Sequence, residues 1–272
     1  MGDHTVDESQ GTSRAAEIAY ESMAPAYDDF TAEHNYTLWV GELLKLGAAH
    51  GLHGDTALDV GCGTGKSFMP LVERGWKVTA CDISPAMVDL ARSKVSDEVR
   101  IEVADMRALP PYGSFDLVCA LDDVVNYLLT AVELEQALRG MAANLAPDGI
   151  LIFDSNTLTV YRGFFNEHVE VEARGRRLVW DGHSGGAVEA GEVSEATFSV
   201  EALESGTGSM IPAEVHRQRH HPETEVRAAL AAAGLELVGL YGHHFDGIPH
   251  EPMSEDLHTK AIYVARLART PE

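Results

Sequence analysis

The chain has 272 residues, 45% of them hydrophobic, which is enough to bury one large core with a modest insertion beside it. Acidic residues outnumber basic ones 43 to 20, and the resulting formal charge of −23 opposes docking onto phosphate backbones or anionic membranes. No nucleic-acid or membrane partner is expected, and a small-molecule substrate is.

Residues 1–12 are polar and Gly-bearing and read as a disordered tail. Ser13 then caps a helix to about Met23. Pro25 interrupts it before the aromatic segment Ala26-Tyr27-Asp28-Asp29-Phe30, and a second helix runs from Thr37 to His50. Residues 13–50 together form an N-terminal helical lid.

From residue 51 the pattern alternates. Thr56 to Val60 is a short buried strand, followed at once by Gly61-Cys62-Gly63-Thr64-Gly65 and a helix. A second strand ends on Asp82, and Ser84 caps the next helix with Pro85 at its first position. A third strand ends on Asp105, a fourth covers Phe115 to Leu121, and Pro147-Asp148-Gly149 turns the chain into a fifth, Ile150 to Phe153. Strands alternating with helices imply a doubly wound α/β fold around a mostly parallel sheet. Residues 169–219 break that rhythm with Gly-rich turns between β-rich runs, an inserted antiparallel β subdomain. Residues 220–272 add a helix and two last strands, which makes a seven-stranded sheet from 51–168 and 220–272. The insertion offers strand edges to a second copy, so a homo-oligomer is compatible with the pattern.

Cys62, Cys81 and Cys119 are odd in number, lie inside apolar segments and read as core residues, not as a disulfide or metal framework. No charged apolar leader opens the chain and no apolar run approaches about 18 residues, so a cytoplasmic location is expected.

The loop Gly61-Cys62-Gly63-Thr64-Gly65-Lys66-Ser67 is the most informative stretch. A phosphate-cradling loop needs a glycine where Val60 stands, and a dinucleotide loop needs its third glycine where Lys66 stands. The first departure removes the nucleotide-hydrolase reading. The second weakens the NAD-dependent oxidoreductase reading, which stays as an alternative.

Leu58-Asp59-Val60-Gly61-Cys62-Gly63-Thr64-Gly65 resembles the cofactor signature of class I methyltransferases dependent on S-adenosylmethionine (SAM). Asp82 and Asp105 stand at the ends of the next two strands, as that family expects. The resemblance implies SAM as cofactor. Gly61 and Gly63 would let backbone approach it and Asp59 would face its ammonium. Asp82 would accept from the ribose hydroxyls, and Asp105 with the Met106 backbone would meet the adenine between Ile83 and Met87, with Leu121 nearby. Met87 also lies on an apolar helix face, where a core position accounts for it equally well.

Met23-Ala24-Pro25-Ala26-Tyr27-Asp28-Asp29-Phe30 looks like the lid segment of small-molecule methyltransferases. Leu121-Asp122-Asp123-Val124-Val125-Asn126-Tyr127-Leu128 resembles the loop after the fourth strand in N-methyltransferases of amino sugars and lincosamide-type antibiotics. The likeness extends to the inserted sheet and to the ending Leu257-His258-Thr259-Lys260-Ala261-Ile262-Tyr263-Val264-Ala265. It implies that Tyr27 and Tyr127 flank the reaction centre, with Tyr20, Asp122, Asp123 and Asn126 near the substrate. Methyl transfer from a sulfonium needs alignment and dryness, and aromatic faces suit both a sulfonium and an ammonium.

His220-His221, His243-His244 and His258 crowd the last third, but neighbours on a strand point to opposite faces, so no metal site is expected. His244 or His243 is the candidate base for a hydroxyl acceptor, whereas an amine needs only to arrive unprotonated. N-methylation of an amine-bearing natural-product intermediate is the primary expectation. O-methylation and a non-catalytic SAM-binding role are the alternatives within this fold.

Overall fold

The alternation of short apolar runs with amphipathic stretches produces one large sheet with helices on both faces. The computed structural model describes residues 8–203, 211–244 and 247–269. Of the expected tail, residues 1–7 lie outside the described residues.

Helix α1 (Glu8–Phe30) and α2 (Tyr36–Ala49) precede β1 (Thr56–Val60), α3 (Met69–Glu73), β2 (Lys77–Asp82), α4 (Pro85–Ser93), β3 (Arg100–Val103) and β4 (Phe115–Ala120). Then come α5 (Ala131–Ala143), β5 (Leu145–Asn156), α6 (Leu158–Arg162), and the strands β6 (His168–Ala173), β7 (Arg176–Gly182), β8 (Val193–Ala202) and β9 (Ile211–Arg219). Helix α7 (Glu223–Ala232), β10 (Leu235–His243), β11 (Pro249–His250) and β12 (Lys260–Leu267) end the fold.

The main sheet has the order β11-β10-β12-β5-β4-β1-β2-β3. Strands β1 to β5 are mutually parallel, whereas β12, β10 and β11 join antiparallel. It therefore has eight strands, one more than the expected seven. The extra strand is the two-residue β11, which pairs with the end of β10. The chain travels outward from β1 through β2 to β3, then crosses back to β4 on the other side of β1. The carboxyl ends of β1 and β4 thus flank a topological switch point, where open α/β sheets leave a crevice.

Two apolar layers sandwich the sheet. Leu134, Leu138 and Met141 of α5 and Val226 and Leu230 of α7 cover one face, and Trp39, Leu43, Phe68, Leu71 and Val88 cover the other. The second sheet, β6-β7-β8-β9, is wholly antiparallel and lays Leu178, Trp180, Phe198 and Val200 against Met23 and Ala26 of α1.

Helix α1 differs from the expectation that Pro25 would end it: the helix continues through Pro25 to Phe30. A proline removes one helical hydrogen bond and frees the carbonyl four residues earlier. Here both Pro25 and Glu21 are exposed, and packing on the second sheet carries the helix onward. No helix among the described residues is long and apolar enough to cross a membrane.

Candidate active site

The glycine turn after β1 is shaped by backbone geometry that side chains rarely adopt, with φ of 76° at Gly61, 51° at Gly63 and 92° at Gly65. The N–H groups of Gly61 and Cys62 both donate to the Cys81 carbonyl, at 2.8 and 2.9 Å, folding the turn over the end of β2. A Cβ on Gly61 would stand 2.7 Å from Val124 Cγ2. Asp82 accepts from the Gly63 N–H at 2.8 Å and from the Ser84 N–H at 2.9 Å. Burial pushes its carboxyl up, against the pull of those bonds. Below the turn, Asp59 is fully buried and accepts from Ser67 Oγ at 2.5 Å; burial pushes its carboxyl up to about 6.

At the end of β3, Asp105 caps the short turn Met106–Ala108. The Arg107 guanidinium spans both Asp105 oxygens and reaches Glu133 Oε1 at 2.6 Å. Glu133 in turn closes the capping box of α5 with Thr130. The cleft between these walls has a volume of about 870 Å³ including its open mouth, a size suited to a cofactor and a small acceptor.

The other end of the cleft is aromatic. Tyr20 and Tyr27 come from α1, Tyr36 from the start of α2, and Tyr127 from the turn after β4. The Tyr20 ring lies 6.3 Å from that of Tyr27 and 5.0 Å from that of Tyr127. The Tyr36 hydroxyl donates to Asp122 at 2.7 Å. Tyr27 comes to lie over Gly63 because the end of α1 is tied to the glycine turn. Thr64 Oγ1 donates to Asp28 at 2.6 Å, Lys94 bridges Asp28 and the Thr64 carbonyl, and Lys66 donates to the Thr31 carbonyl at 2.9 Å.

Asp122 and Asp123 both sit in the left-handed region, φ 66° and 56°, a strained pair that needs an external clamp. Asp154, fully buried at the end of β5, accepts both of their N–H groups at 2.7 Å. Lys260 of β12 places its ammonium 3.2 Å from Asp122, 2.5 Å from Asp123 and 3.1 Å from Asp154. Burial opposes charge on Asp122, yet Lys260, His34 and the Tyr36 hydrogen bond hold its carboxyl well below the usual range. Burial, with repulsion from Asp122 and Asp154, pushes Asp123 up to about 6 against the attraction of Lys260.

Of the residues singled out in the sequence, Tyr20, Tyr27, Gly61, Gly63, Asp82, Ile83, Asp105, Met106, Leu121, Asp122 and Tyr127 line this cleft. Five do not. Asp59 and Met87 are fully buried behind the wall, and Asn126 is fully buried, donating to the Arg219 carbonyl and Ser155 and accepting from the Asn156 N–H. Asp123 turns to Lys260 and Gln218. His244 follows β10 and packs against His258, with ring centroids 5.0 Å apart. Tyr36 and Arg107 line the cleft without having been singled out, since only the long-range packing of α2 and the turn after β3 brings them there; Lys66, noted only for standing where a third glycine would, lines it from the glycine loop. No group of three or more His, Cys, Asp or Glu that could hold a metal occurs among the described residues.

A glycine turn at the switch point, with carboxylates closing the next two strands, is the arrangement expected in the class I methyltransferase fold. Residues 57–149 match the methyltransferase domain family. A Geobacillus sp. protein provisionally described as a methyltransferase is 36% identical over 141 residues, half of this chain and 57% of that one. A Bacillus subtilis protein described in the same way is 28% identical over 90% of this chain and 97% of its own length. Among solved structures, a SAM-dependent methyltransferase from Clostridium acetobutylicum superposes with a TM-score of 0.76 at 20% identity, covering 92% of this chain and 99% of that one. The sugar N-methyltransferase from Streptoalloteichus sp. gives a TM-score of 0.67 at 26% identity, covering 89% and 93%. Residues 57–149 thus carry a methyltransferase domain, and the chain has the fold of the class I SAM-dependent methyltransferases.

Proposed function

We propose that this enzyme N-methylates an amine-bearing small molecule, an intermediate of natural-product assembly. The observation that carries this reading is one end of the cleft, which four tyrosines and the ionised carboxylate of Asp122 line together. Aromatic faces and a fixed anion together favour a cation, and an amine arrives as one. The likeness to the Streptoalloteichus sp. sugar N-methyltransferase supports the same acceptor class.

In this reading Gly61 and Gly63 bring backbone against the cofactor, and Asp82 accepts from its ribose hydroxyls. Ile83 and Met106 flank the adenine, with Leu121 along the wall, and Asp105 faces its amino group while paired to Arg107. Asp59 acts one step away, by holding Ser67, whose side chain lines the cleft. Bound SAM supplies an electrophilic methyl group on a sulfonium. Tyr27 and Tyr127 wall the reacting centre and keep water out, and Tyr20 and Asp122 orient the acceptor nitrogen. Asp122 is too acidic to hold a proton, so the amine releases its own to solvent before it attacks. A hydroxyl acceptor would need a base, and the histidine beside Tyr127, His216, is pushed down to about 4 by burial, which leaves it a weak one.

Incubation with SAM and matched panels of amino and hydroxy sugars, with products read by mass spectrometry, tests the proposal. Methylated amines are expected. Asp122→Asn is expected to raise KM for the amine about tenfold, through loss of a charge-assisted contact, with little change in affinity for the demethylated cofactor S-adenosylhomocysteine. Methylation of hydroxyls alone would overturn the N-methyl reading.

A further inference from the structure

Strand β9 of the second sheet does more than cover the cleft. Two of its side chains, His216 and Gln218, are buried and reach the loop after β4. His216 Nδ1 lies 2.9 Å from the Tyr127 hydroxyl, and Gln218 Nε2 donates to Asp123 at 2.6 Å. The other ring nitrogen, Nε2, is buried with no hydrogen-bond partner, so the ring's hydrogen bond is the one made through Nδ1 to Tyr127.

Buried polar atoms without partners are rare because they lose water and gain nothing, so one that persists calls for a reason. The surroundings of His216 hold it neutral. The rings of Tyr20, Trp180 and Phe198 lie 5.5, 5.4 and 6.3 Å away, and burial alone drives its pKa down, to about 4.

We propose that His216 is a positioning residue for methyl transfer: its neutral imidazole, hydrogen-bonded through Nδ1 to the Tyr127 hydroxyl, locks the Tyr127 ring at the reacting end of the cleft. The inserted sheet thereby sets the geometry of the acceptor site. This rests on the cleft being the methyl-transfer site described above.

Two measurements test it, one of them independent of any acceptor. Nitrogen-15 NMR of histidine-labelled full-length protein with S-adenosylhomocysteine, assigned with His216→Asn, is expected to show a single neutral tautomer across about pH 5.5 to 9. In Tyr127→Phe that preference should collapse into exchange between tautomers. A parent His216 already in exchange between tautomers, or one titrating near the ordinary histidine value of about 6.5, would overturn the proposal.

In turnover with the best amine of the panel, His216→Asn places its amide oxygen near the Nδ1 position and should keep kcat within about twofold of the parent. His216→Gln carries its polar group toward the Nε2 position and should lower kcat about tenfold, with KM for SAM unchanged. Tyr127→Phe should fall as far as His216→Gln, and the double variant no further. Equal rates for the Asn and Gln variants, with S-adenosylhomocysteine binding intact in both, would show a merely structural histidine and sink the idea. Should no amine be methylated, the tautomer and its dependence on Tyr127 still decide the His216–Tyr127 lock, so failure of the amine reading and failure of the lock give different results.

Discussion

The two ends of the cleft are built on different principles. The end proposed for the cofactor is made by backbone: a glycine turn at the switch point, with Asp82 and Asp105 delivered by the ends of adjacent parallel strands. The end proposed for the acceptor is made by side chains from segments far apart in the chain, namely α1, α2, the loop after β4, β9 and β12. The first needs little beyond the sheet to hold its shape. The second depends on a buried ammonium, a carboxylate clamp and a latched helix, so it can change its acceptor without disturbing the cofactor.

The largest effect that separates the two ends is expected at Asp82. Asp82→Asn replaces one carboxylate oxygen by an amide that faces an N–H group of Gly63 or Ser84, and it removes the anion proposed to meet the ribose. Loss of two charge-assisted contacts of this kind is about 3 kcal/mol, a weakening of S-adenosylhomocysteine binding on the order of 100-fold by calorimetry. A change smaller than about threefold would place the ribose elsewhere and blur the contrast.

The same contrast explains what was legible in the sequence. Gly61, Gly63, Asp82 and Asp105 are tied to short strands whose apolar runs and turn residues can be read locally, and each stands in the cleft. Tyr36 precedes the expected second helix, and nothing local connects it with Asp122, 86 positions later. Lys260 stands in the last strand, but its neighbours Asp154 and the two aspartates are defined only by the pairing of β12 with β5. His216 lies in the inserted β-rich region, whose sequence does not tell what its strands touch. Asn126 misled for the opposite reason. It sits between Asp123 and Tyr127 in sequence, yet the turn aims it into the interior, where its amide joins β5 to the end of β9. Pro25 also misled, because a local rule for helix breaking gave way to the packing of α1 on the second sheet.

A second effect belongs to the cofactor end and appears in stability. Asp59 has a folded-state carboxyl raised to about 6 by burial, against an unfolded value of 3.8. The folded state therefore binds its proton more tightly, so this group favours folding below the unfolded value and loses that contribution as pH rises toward 6. Relative to Asp59→Asn, which cannot titrate, the parent protein should lose on the order of 2–3 kcal/mol between about pH 4 and 6.5 and stay level above that. Urea unfolding of both proteins across that range reads the difference. A difference independent of pH would mean that Asp59 is already ionised in the acid and that Ser67 and Cys119 stabilise its charge fully.

The smallest effect probes the acceptor end alone. Tyr36→Phe removes the 2.7 Å hydrogen bond to Asp122 while leaving the ring, and hence the aromatic wall, in place. Besides this hydroxyl, Asp122 is held by the Lys260 ammonium, by the Asp154 carboxylate on its backbone N–H and, more distantly, by the Tyr27 hydroxyl at 3.5 Å. Losing one of these contacts frees the carboxylate to rotate but does not release the strained turn beneath it. The expected cost is about 1 kcal/mol in acceptor binding, a rise of about fivefold in KM for the amine, with kcat and cofactor affinity close to the parent values. Steady-state kinetics with varied amine at saturating SAM measures the first, and calorimetry with S-adenosylhomocysteine the second. If cofactor affinity fell together with the amine KM, the two ends would be one cooperative unit, and the division between a backbone-built and a side-chain-built site would fail.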